Sequence, residues 1–175
     1  AVTASFEKCA QMLAACVTGG GNMLLNVGPM PSGELRSEEL ANLKALKPWM
    51  QTYGESIYGT RAGPYVSGQW GGACHKGNVI YLHVFEWADG QLSLPTLPRK
   101  VLHCEALGGE SVSFTQNADA LTIRLHESKM RSLRRTFKPT ERSLHRVLKL
   151  TLEPGADMAL IPVEGHVAKQ QHGTL

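Results

Sequence analysis

The sequence predicts an α/β segment followed by an all-β domain, with the change of pattern near residue 62. Up to that point, two stretches with helical spacing of apolar residues flank one short apolar run, which is the repeating unit of a parallel α/β sheet. Beyond it, short strand-like runs alternate with glycine-containing turns, as in an antiparallel β-sandwich. The 175 residues suffice for one ordinary domain or two small ones, and a hydrophobic content of 42% provides for a core.

Two amphipathic helices are expected in the first segment. Residues 5–18 carry apolar side chains at helical spacing, and three consecutive glycines starting at Gly19 end the pattern. The second helix begins near Ser37, a good N-cap, with two glutamates in its first turn, where the helix dipole favours anions. We expect Pro48 to kink this helix and Gly54 to end it.

A short apolar run, Met23–Asn26, lies between the two helices and predicts a strand that is buried on both faces. The run stops at Gly28 and Pro29, where a loop rich in glycine and proline follows. A single strand cannot form a sheet. Its neighbours are therefore expected outside residues 1–60, in an upstream portion of the protein or in another copy of the chain.

Five strands are predicted in the second segment. The leucines of the last one recur at every second position, which is typical of a half-buried strand. Glycine-containing pairs at 77–78, 89–90 and 108–109 are turn signals between the runs. The predicted strands are Val79–Trp87, Val101–Leu107, Ser111–Thr115, Ala120–His126 and Arg146–Leu152.

Three ordered motifs resemble one known family. The stretches GGGNMLLNVGPMPSGEL, YGESIYGTRAGPY and WGGACHKGNVIYLHVFEW are similar to the C-terminal part of the family 29 glycoside hydrolases, the α-L-fucosidases. In that family the first motif forms the last strand of a (β/α)8-like barrel, and the second leads into a C-terminal β-sandwich. The resemblance implies the last strand and flanking helices of such a barrel over residues 1–62. It implies an antiparallel β-sandwich over residues 63–175, with a basic insertion near 127–146.

The resemblance also implies a parent enzyme that removes terminal α-L-fucose from glycans with retention. Retaining glycosidases need a nucleophile and an acid/base about 5–5.5 Å apart, and in the family both carboxyl groups precede the stretch that matches here. No catalytic residue is therefore assigned to this chain. The expected partners are a fucosylated oligosaccharide or glycoconjugate, and either the upstream barrel portion or another copy of the chain.

A protein of a different class would also fit the second segment. A non-catalytic carbohydrate-binding or structural β-sandwich module would need no upstream strands. A third, weaker interpretation is an anion-binding protein that acts through its basic segment.

Asn26 is the one substrate-binding candidate. It lies at the C-terminal end of the predicted strand, on the face where such barrels carry their active sites. Its amide either supports the floor of the site or caps the backbone of the loop at 28–33. The acidic residues beyond the strand are expected to have structural roles: Glu34, Glu38 and Glu39 as solvated residues around the helix start, and Glu55 as a hydrogen-bonding residue.

No metal site or cofactor is predicted, because the histidines show no ligand spacing such as His-x-x-x-His. Trp70, next to Gly71, matches the family pattern, which favours packing at the junction of barrel and sandwich over a platform for a sugar ring. Buried free thiols are favoured over a disulfide or a metal site. The other residues considered are Trp49, Trp87, Cys9, Cys16, Cys74, Cys104, His75, His83, His103, His126, His145, His166 and His172.

A basic segment, Lys129–Arg146, departs from the family pattern. It contains seven Lys or Arg and one acid, Glu141, whereas the whole chain has a net charge of only +3. A solvated surface loop is favoured over a site for nucleic acid or anionic glycans, since no nucleic-acid-binding pattern accompanies it. No apolar run reaches the ~18 residues of a membrane span, and no signal peptide is expected at the start. The family suggests a secreted, periplasmic or lysosomal location.

Overall fold

The structure is a computed structural model that describes residues 4–87, 90–126 and 145–163. Its helices are α1 (Phe6–Thr18) and α2 (Ser37–Tyr53), and a single turn of 3-10 helix (Gly54–Ser56) follows α2 directly. The strands are β1 (Arg61–Ala62), β2 (Gly71–Lys76), β3 (Val79–Val84), β4 (Gln91–Pro95), β5 (Val101–Ala106), β6 (Ser111–Gln116), β7 (Ala120–His126) and β8 (Arg146–Leu152).

The strands form two antiparallel sheets that enclose one hydrophobic core. The larger sheet has the order β1-β2-β3-β8-β5, and the smaller one has the order β4-β7-β6. Alternate residues of each sheet point into the core, where Leu82 and Leu148 from the larger sheet and Ile123 from the smaller sheet are fully buried. The predicted antiparallel β-sandwich is therefore confirmed.

Each of the five predicted strands is present, with shifts of up to three residues at its ends. The largest shift is in β3, which stops at Val84, so that Trp87 lies beyond it. Three strands were not predicted. Strand β1 has only two residues. Strand β2 begins with Gly71 and Gly72, and glycine lowers strand propensity. Strand β4 is only five residues long, and its two leucines are its only buried residues.

Both predicted helices are present. Ser5 caps α1, and its hydroxyl accepts a hydrogen bond from the backbone N–H of Lys8 at 3.3 Å. The predicted N-cap of α2 is wrong by one residue, because Arg36 retains an extended backbone and Ser37 is already helical. The helix continues through Pro48 to Tyr53, and Gly54 is its C-cap.

The predicted strand Met23–Asn26 is absent from the structure. These residues have no regular secondary structure and no ladder partner, and the side chain of Leu24 is 86% exposed. The expectation that this segment is buried and paired is therefore wrong for the chain as described. The physical reason is that an extended segment without a neighbouring strand has nothing to pair with its backbone N–H and C=O groups. The barrel part of the predicted fold is not confirmed.

The helical segment packs on the outer face of the larger sheet, where α1 contacts β2. Gly72 permits this close approach, since a Cβ atom there would collide with the side chains of Thr18 and Ser67. The hydroxyl of Ser67 also donates a hydrogen bond to the carbonyl oxygen of Thr18 at 3.3 Å. The end of α1 is thereby fixed against the start of β2.

The predicted basic insertion lies outside the described residues except for its last two, His145 and Arg146. Arg146 is the first residue of β8 and is buried, with its Nε atom 3.6 Å from Oε1 of Glu110. The expectation of a solvated surface loop therefore stays a prediction for residues 127–144. The turn signal at 89–90 lies partly outside the described residues as well.

Candidate functional site

Asn26 lies in the exposed segment between α1 and α2. Its amide makes no hydrogen bond to another residue in the described ranges. The described structure therefore does not show Asn26 capping the backbone of the loop at 28–33. The loop that follows is closed by its own backbone, since the N–H of Met30 donates to the carbonyl oxygen of Glu34 at 2.8 Å and the N–H of Gly33 donates to that of Met30 at 2.7 Å. The substrate-binding role of Asn26 stays a prediction.

An open groove of about 700 Å³ lies between this loop and the first turn of α2. Met30, Leu35 and Leu40 supply its apolar walls, and Glu34 and Glu38 lie at its rim. The groove adjoins the segment that the resemblance places at the C-terminal face of a barrel. Its polar groups are the first turn of a helix, the side chain of Arg36 and two solvated carboxylates, and they do not form the enclosed acid and nucleophile pair that glycosidase chemistry requires.

Glu55 connects the 3-10 turn to two strands of the larger sheet. Its Oε2 atom accepts hydrogen bonds from the hydroxyl of Tyr81 on β3 and from Nζ of Lys149 on β8, both at 2.9 Å. The hydrogen bond from Lys149 holds the pKa of the Glu55 carboxyl below its usual range. A general acid needs the opposite shift. Glu55 is therefore a structural hydrogen-bonding residue, as the sequence predicted.

A pair of histidines, one buried and one half-buried, lies under the helical segment. Nδ1 of His83, on β3, is 3.0 Å from Nε2 of His145, the residue before β8. Nε2 of His83 lies 3.8 Å from the sulfur of Cys74. No sequence pattern indicated this pair, because the two histidines are 62 positions apart and the pairing of β3 with β8 brings them together.

The pair of Cys74 and His83 is not suited to nucleophilic catalysis. Burial raises the pKa of the Cys74 thiol to about 11, and its sulfur donates a hydrogen bond to the carbonyl oxygen of Ser56 at 3.0 Å. A reactive cysteine needs a lowered pKa and access to substrate. The described parts of the chain also contain no group of three or more His, Cys, Asp or Glu residues that could hold a metal ion.

The tryptophans are occupied by packing. Trp70 is buried in the sandwich core, where its indole N–H donates to the carbonyl oxygen of Val66 at 3.2 Å, so a sugar ring cannot reach it. Its place is the sandwich interior rather than the junction that the sequence suggested. Trp49 is the tryptophan at the junction, with its ring 5.5 Å from that of His145. Trp87 is half-buried beneath the guanidinium group of Arg146.

The four cysteines are free thiols, and Cys9, Cys74 and Cys104 are buried while Cys16 is half-buried. The favoured sequence interpretation therefore holds for these residues. Neither helix in the described ranges has the length and the apolar character needed to cross a membrane.

Comparison with known proteins identifies the relatives of this chain. A family model described as alpha-L-fucosidase matches residues 2–55, which include α1 and α2. A curated alpha-L-fucosidase from Branchiostoma floridae is 32% identical over an alignment of 96 residues, and the match covers 50% of this chain and 20% of the relative.

Solved structures of fucosidases share the fold of this chain. Alpha-L-fucosidase isoenzyme 1 from Paenibacillus thiaminolyticus matches with a TM-score of 0.70 and 29% identity, over 86% of this chain and 35% of that enzyme. Thermotoga maritima alpha-fucosidase matches with a TM-score of 0.64 and 26% identity, over 85% of this chain and 34% of that enzyme. The chain thus spans between one fifth and about one third of the length of these relatives. The resemblance to the α-L-fucosidases of glycoside hydrolase family 29 is therefore confirmed in sequence and in fold.

Proposed function

We propose that this chain is the C-terminal portion of a retaining α-L-fucosidase-like glycoside hydrolase that removes terminal α-L-fucose from glycans. The observation that carries the proposal is the fold match to the Paenibacillus enzyme over 86% of this chain, which covers only 35% of that enzyme. The family match over residues 2–55 supports it independently in the segment that lies outside the sandwich.

In this proposal residues 1–62 are the end of a (β/α)8-like barrel, and residues 63–175 are the C-terminal sandwich. The exposed apolar side chains Leu24, Leu25 and Val27 support the barrel assignment. Leaving such side chains in water costs about 25 cal/mol for each Å² of apolar surface. Neighbouring strands of an upstream barrel portion would cover them, and the segment around Asn26 would then form its backbone ladder.

The catalytic carboxyl groups belong to that upstream portion. Two carboxyl groups about 5–5.5 Å apart are needed for retention. In this chain Glu55 is engaged by Tyr81 and Lys149, and the glutamates beside the groove lie on an open surface. The contribution of this chain is therefore positional. It fastens α2 to the sandwich and presents Asn26 at the edge of the site.

A binding module without catalysis is the second candidate, and the self-contained core of the sandwich favours it. Two measurements on the purified 175-residue chain separate the two candidates. The enzyme-fragment proposal predicts no release of nitrophenolate from 4-nitrophenyl α-L-fucoside, and no binding of fucosylated oligosaccharides by isothermal titration calorimetry. The module predicts binding by the chain alone. Turnover that disappears on substitution of an Asp or Glu within this chain would contradict both.

A further inference from the structure

The pair of His83 and His145 lies between the helical segment and the larger sheet. On the sheet side, His83 pairs with Val147 in the ladder of β3 and β8, and His145 immediately precedes that ladder. On the helical side, the ring of Trp49 covers His145 at 5.5 Å. The ring of Phe85 meets His145 edge-on at 5.1 Å. Aromatic rings thus line the pair, in which His83 is buried and His145 is half-buried.

The geometry of the pair allows one shared proton. Nδ1 of His83 and Nε2 of His145 are 3.0 Å apart, so one nitrogen donates and the other accepts. A second proton between them would place two donors face to face. A proton on an outer nitrogen would place a positive charge where burial opposes the charged form, and the backbone of Ser56 compensates His83 for only part of that effect.

The titratable groups near the pair in the described ranges are either neutral or engaged with another charged group. On β2, Cys74 donates to a backbone carbonyl oxygen, and its thiol is neutral because burial raises its pKa. On α2, Tyr53 is a neutral phenol whose pKa burial raises. Arg146, at the start of β8, is itself a cation, and it forms an ion pair with Glu110, the residue before β6.

The carboxylates on the same face of the sheet are also engaged. Glu55, in the 3-10 turn, binds Tyr81 and Lys149. Glu105, on β5, lies 3.7 Å from the Lys149 ammonium group. No described carboxylate is therefore placed to balance an imidazolium at the pair. In agreement, burial lowers the pKa of both histidines below the usual range.

The helical side of the enclosure is the weaker one. Trp49 is the only buried residue of the seventeen in α2. The sheet side, in contrast, has continuous backbone pairing from β2 through β3 to β8. Displacement of Trp49 would therefore open the pair further to water without breaking the pairing of β2, β3 and β8.

We propose that the pair of His83 and His145 is an acid-sensitive joint, at which proton uptake separates Trp49 of α2 from the sheet while the sandwich core stays folded. This inference concerns the chain itself and does not depend on the proposed catalytic function.

The test is a pH titration of the full chain by ¹H–¹⁵N NMR, which follows the indole N–H signals of the three tryptophans from pH 7 to pH 3. Trp49 reports on the joint, and Trp70 is an internal control, because its indole lies in the sandwich core. Single Trp→Phe variants assign the signals. We expect the Trp49 signal to shift or broaden as the pH falls, while the Trp70 signal keeps its position over the same range.

A variant series then identifies the responsible group. His145→Phe keeps an aromatic ring against Trp49 and removes the proton acceptor, so the acid midpoint of the Trp49 signal should shift by at least one pH unit or vanish. His103→Gln, at an exposed position on β5, removes a histidine outside the joint and should leave the midpoint unchanged. Simultaneous loss of the Trp49 and Trp70 signals in the unsubstituted chain would overturn the proposal. An unchanged midpoint in His145→Phe would also overturn it. If that variant does not fold, the comparison of Trp49 with Trp70 in the unsubstituted chain decides alone.

Discussion

The Oε2 atom of Glu55 lies 2.9 Å from Nζ of Lys149, and this ion pair joins the turn after α2 to the middle of β8. The same oxygen accepts a hydrogen bond from Tyr81 on the neighbouring strand. One carboxylate thus fastens the helical segment to two adjacent strands. The two glutamates that meet at Lys149 come from different elements, since Glu105 on β5 approaches the same ammonium group at 3.7 Å.

The substitution Glu55→Gln should lower the free energy of unfolding by about 0.5–1 kcal/mol. The value is modest because the Glu55 side chain is 45% exposed and solvent screens the pair. Urea unfolding followed by circular dichroism measures the change. Glu86→Gln, at an exposed position beyond β3, is the matched control and should stay within about 0.5 kcal/mol of the unsubstituted chain. Equal losses of unfolding free energy in the two variants would show that the ion pair of Glu55 and Lys149 makes no specific contribution to stability.

The contribution of Glu55 should also depend on pH. The hydrogen bond from Lys149 lowers the pKa of this carboxyl in the folded state, so the folded chain binds the proton less readily than the unfolded chain does. The stabilisation is therefore complete above the unfolded pKa near 4.5 and is lost as the pH falls through the lower folded value. The difference between the unsubstituted chain and Glu55→Gln should be present at pH 7 and should shrink below about pH 4. A difference that grows on acidification would contradict this role.

Gly71→Ala should destabilise the sandwich by roughly 2–4 kcal/mol. Gly71 has φ 136°, and a Cβ atom there would collide with the backbone carbonyl of His83 on the paired strand. Gly109→Ala is the control, because Gly109 also has a positive φ but has open space around it. Gly109→Ala should lower the free energy of unfolding by about 1–2 kcal/mol, because alanine disfavours this backbone conformation. Thermal and urea unfolding of both variants separate the collision from the conformational strain.

Leu24→Ser should leave the stability of the isolated chain within about 0.5 kcal/mol, because this side chain is 86% exposed. It should reduce self-association, which an exposed apolar segment favours. Sedimentation velocity at several concentrations measures that effect. Leu82→Ala, in the sandwich core, should in contrast cost about 2–5 kcal/mol. A loss of that size for Leu24→Ser would mean that the segment is already buried in the isolated chain.

The sequence was sufficient where local patterns determine the structure. Helix α1 follows from its apolar spacing, and β8 follows from leucines at every second position. Glu55 was placed correctly by its motif, and its two partners are long-range contacts that only the folded chain shows.

The rest depends on neighbours that local patterns do not specify. Met23–Asn26 has the composition of a buried strand but no partner strand in the described chain. Its apolar pattern alone was therefore not enough to form a strand. The strand β2 begins with two glycines because other groups of the fold approach its backbone closely at both positions. Strand propensity, which disfavours glycine, therefore did not predict this strand. The pair of His83 and His145 arises from strand pairing across 62 positions.

Replacement of the matching 35% of the Paenibacillus thiaminolyticus enzyme by this chain tests most directly whether the chain is the C-terminal portion of a fucosidase. Release of nitrophenolate from 4-nitrophenyl α-L-fucoside is followed for the chimaera, for the Paenibacillus enzyme shortened by the same portion, and for this chain alone. We predict activity in the folded chimaera, at least tenfold above that of the shortened enzyme, and none in the chain alone. A chimaera that folds, as judged by cooperative unfolding, but is no more active than the shortened enzyme would contradict the proposal.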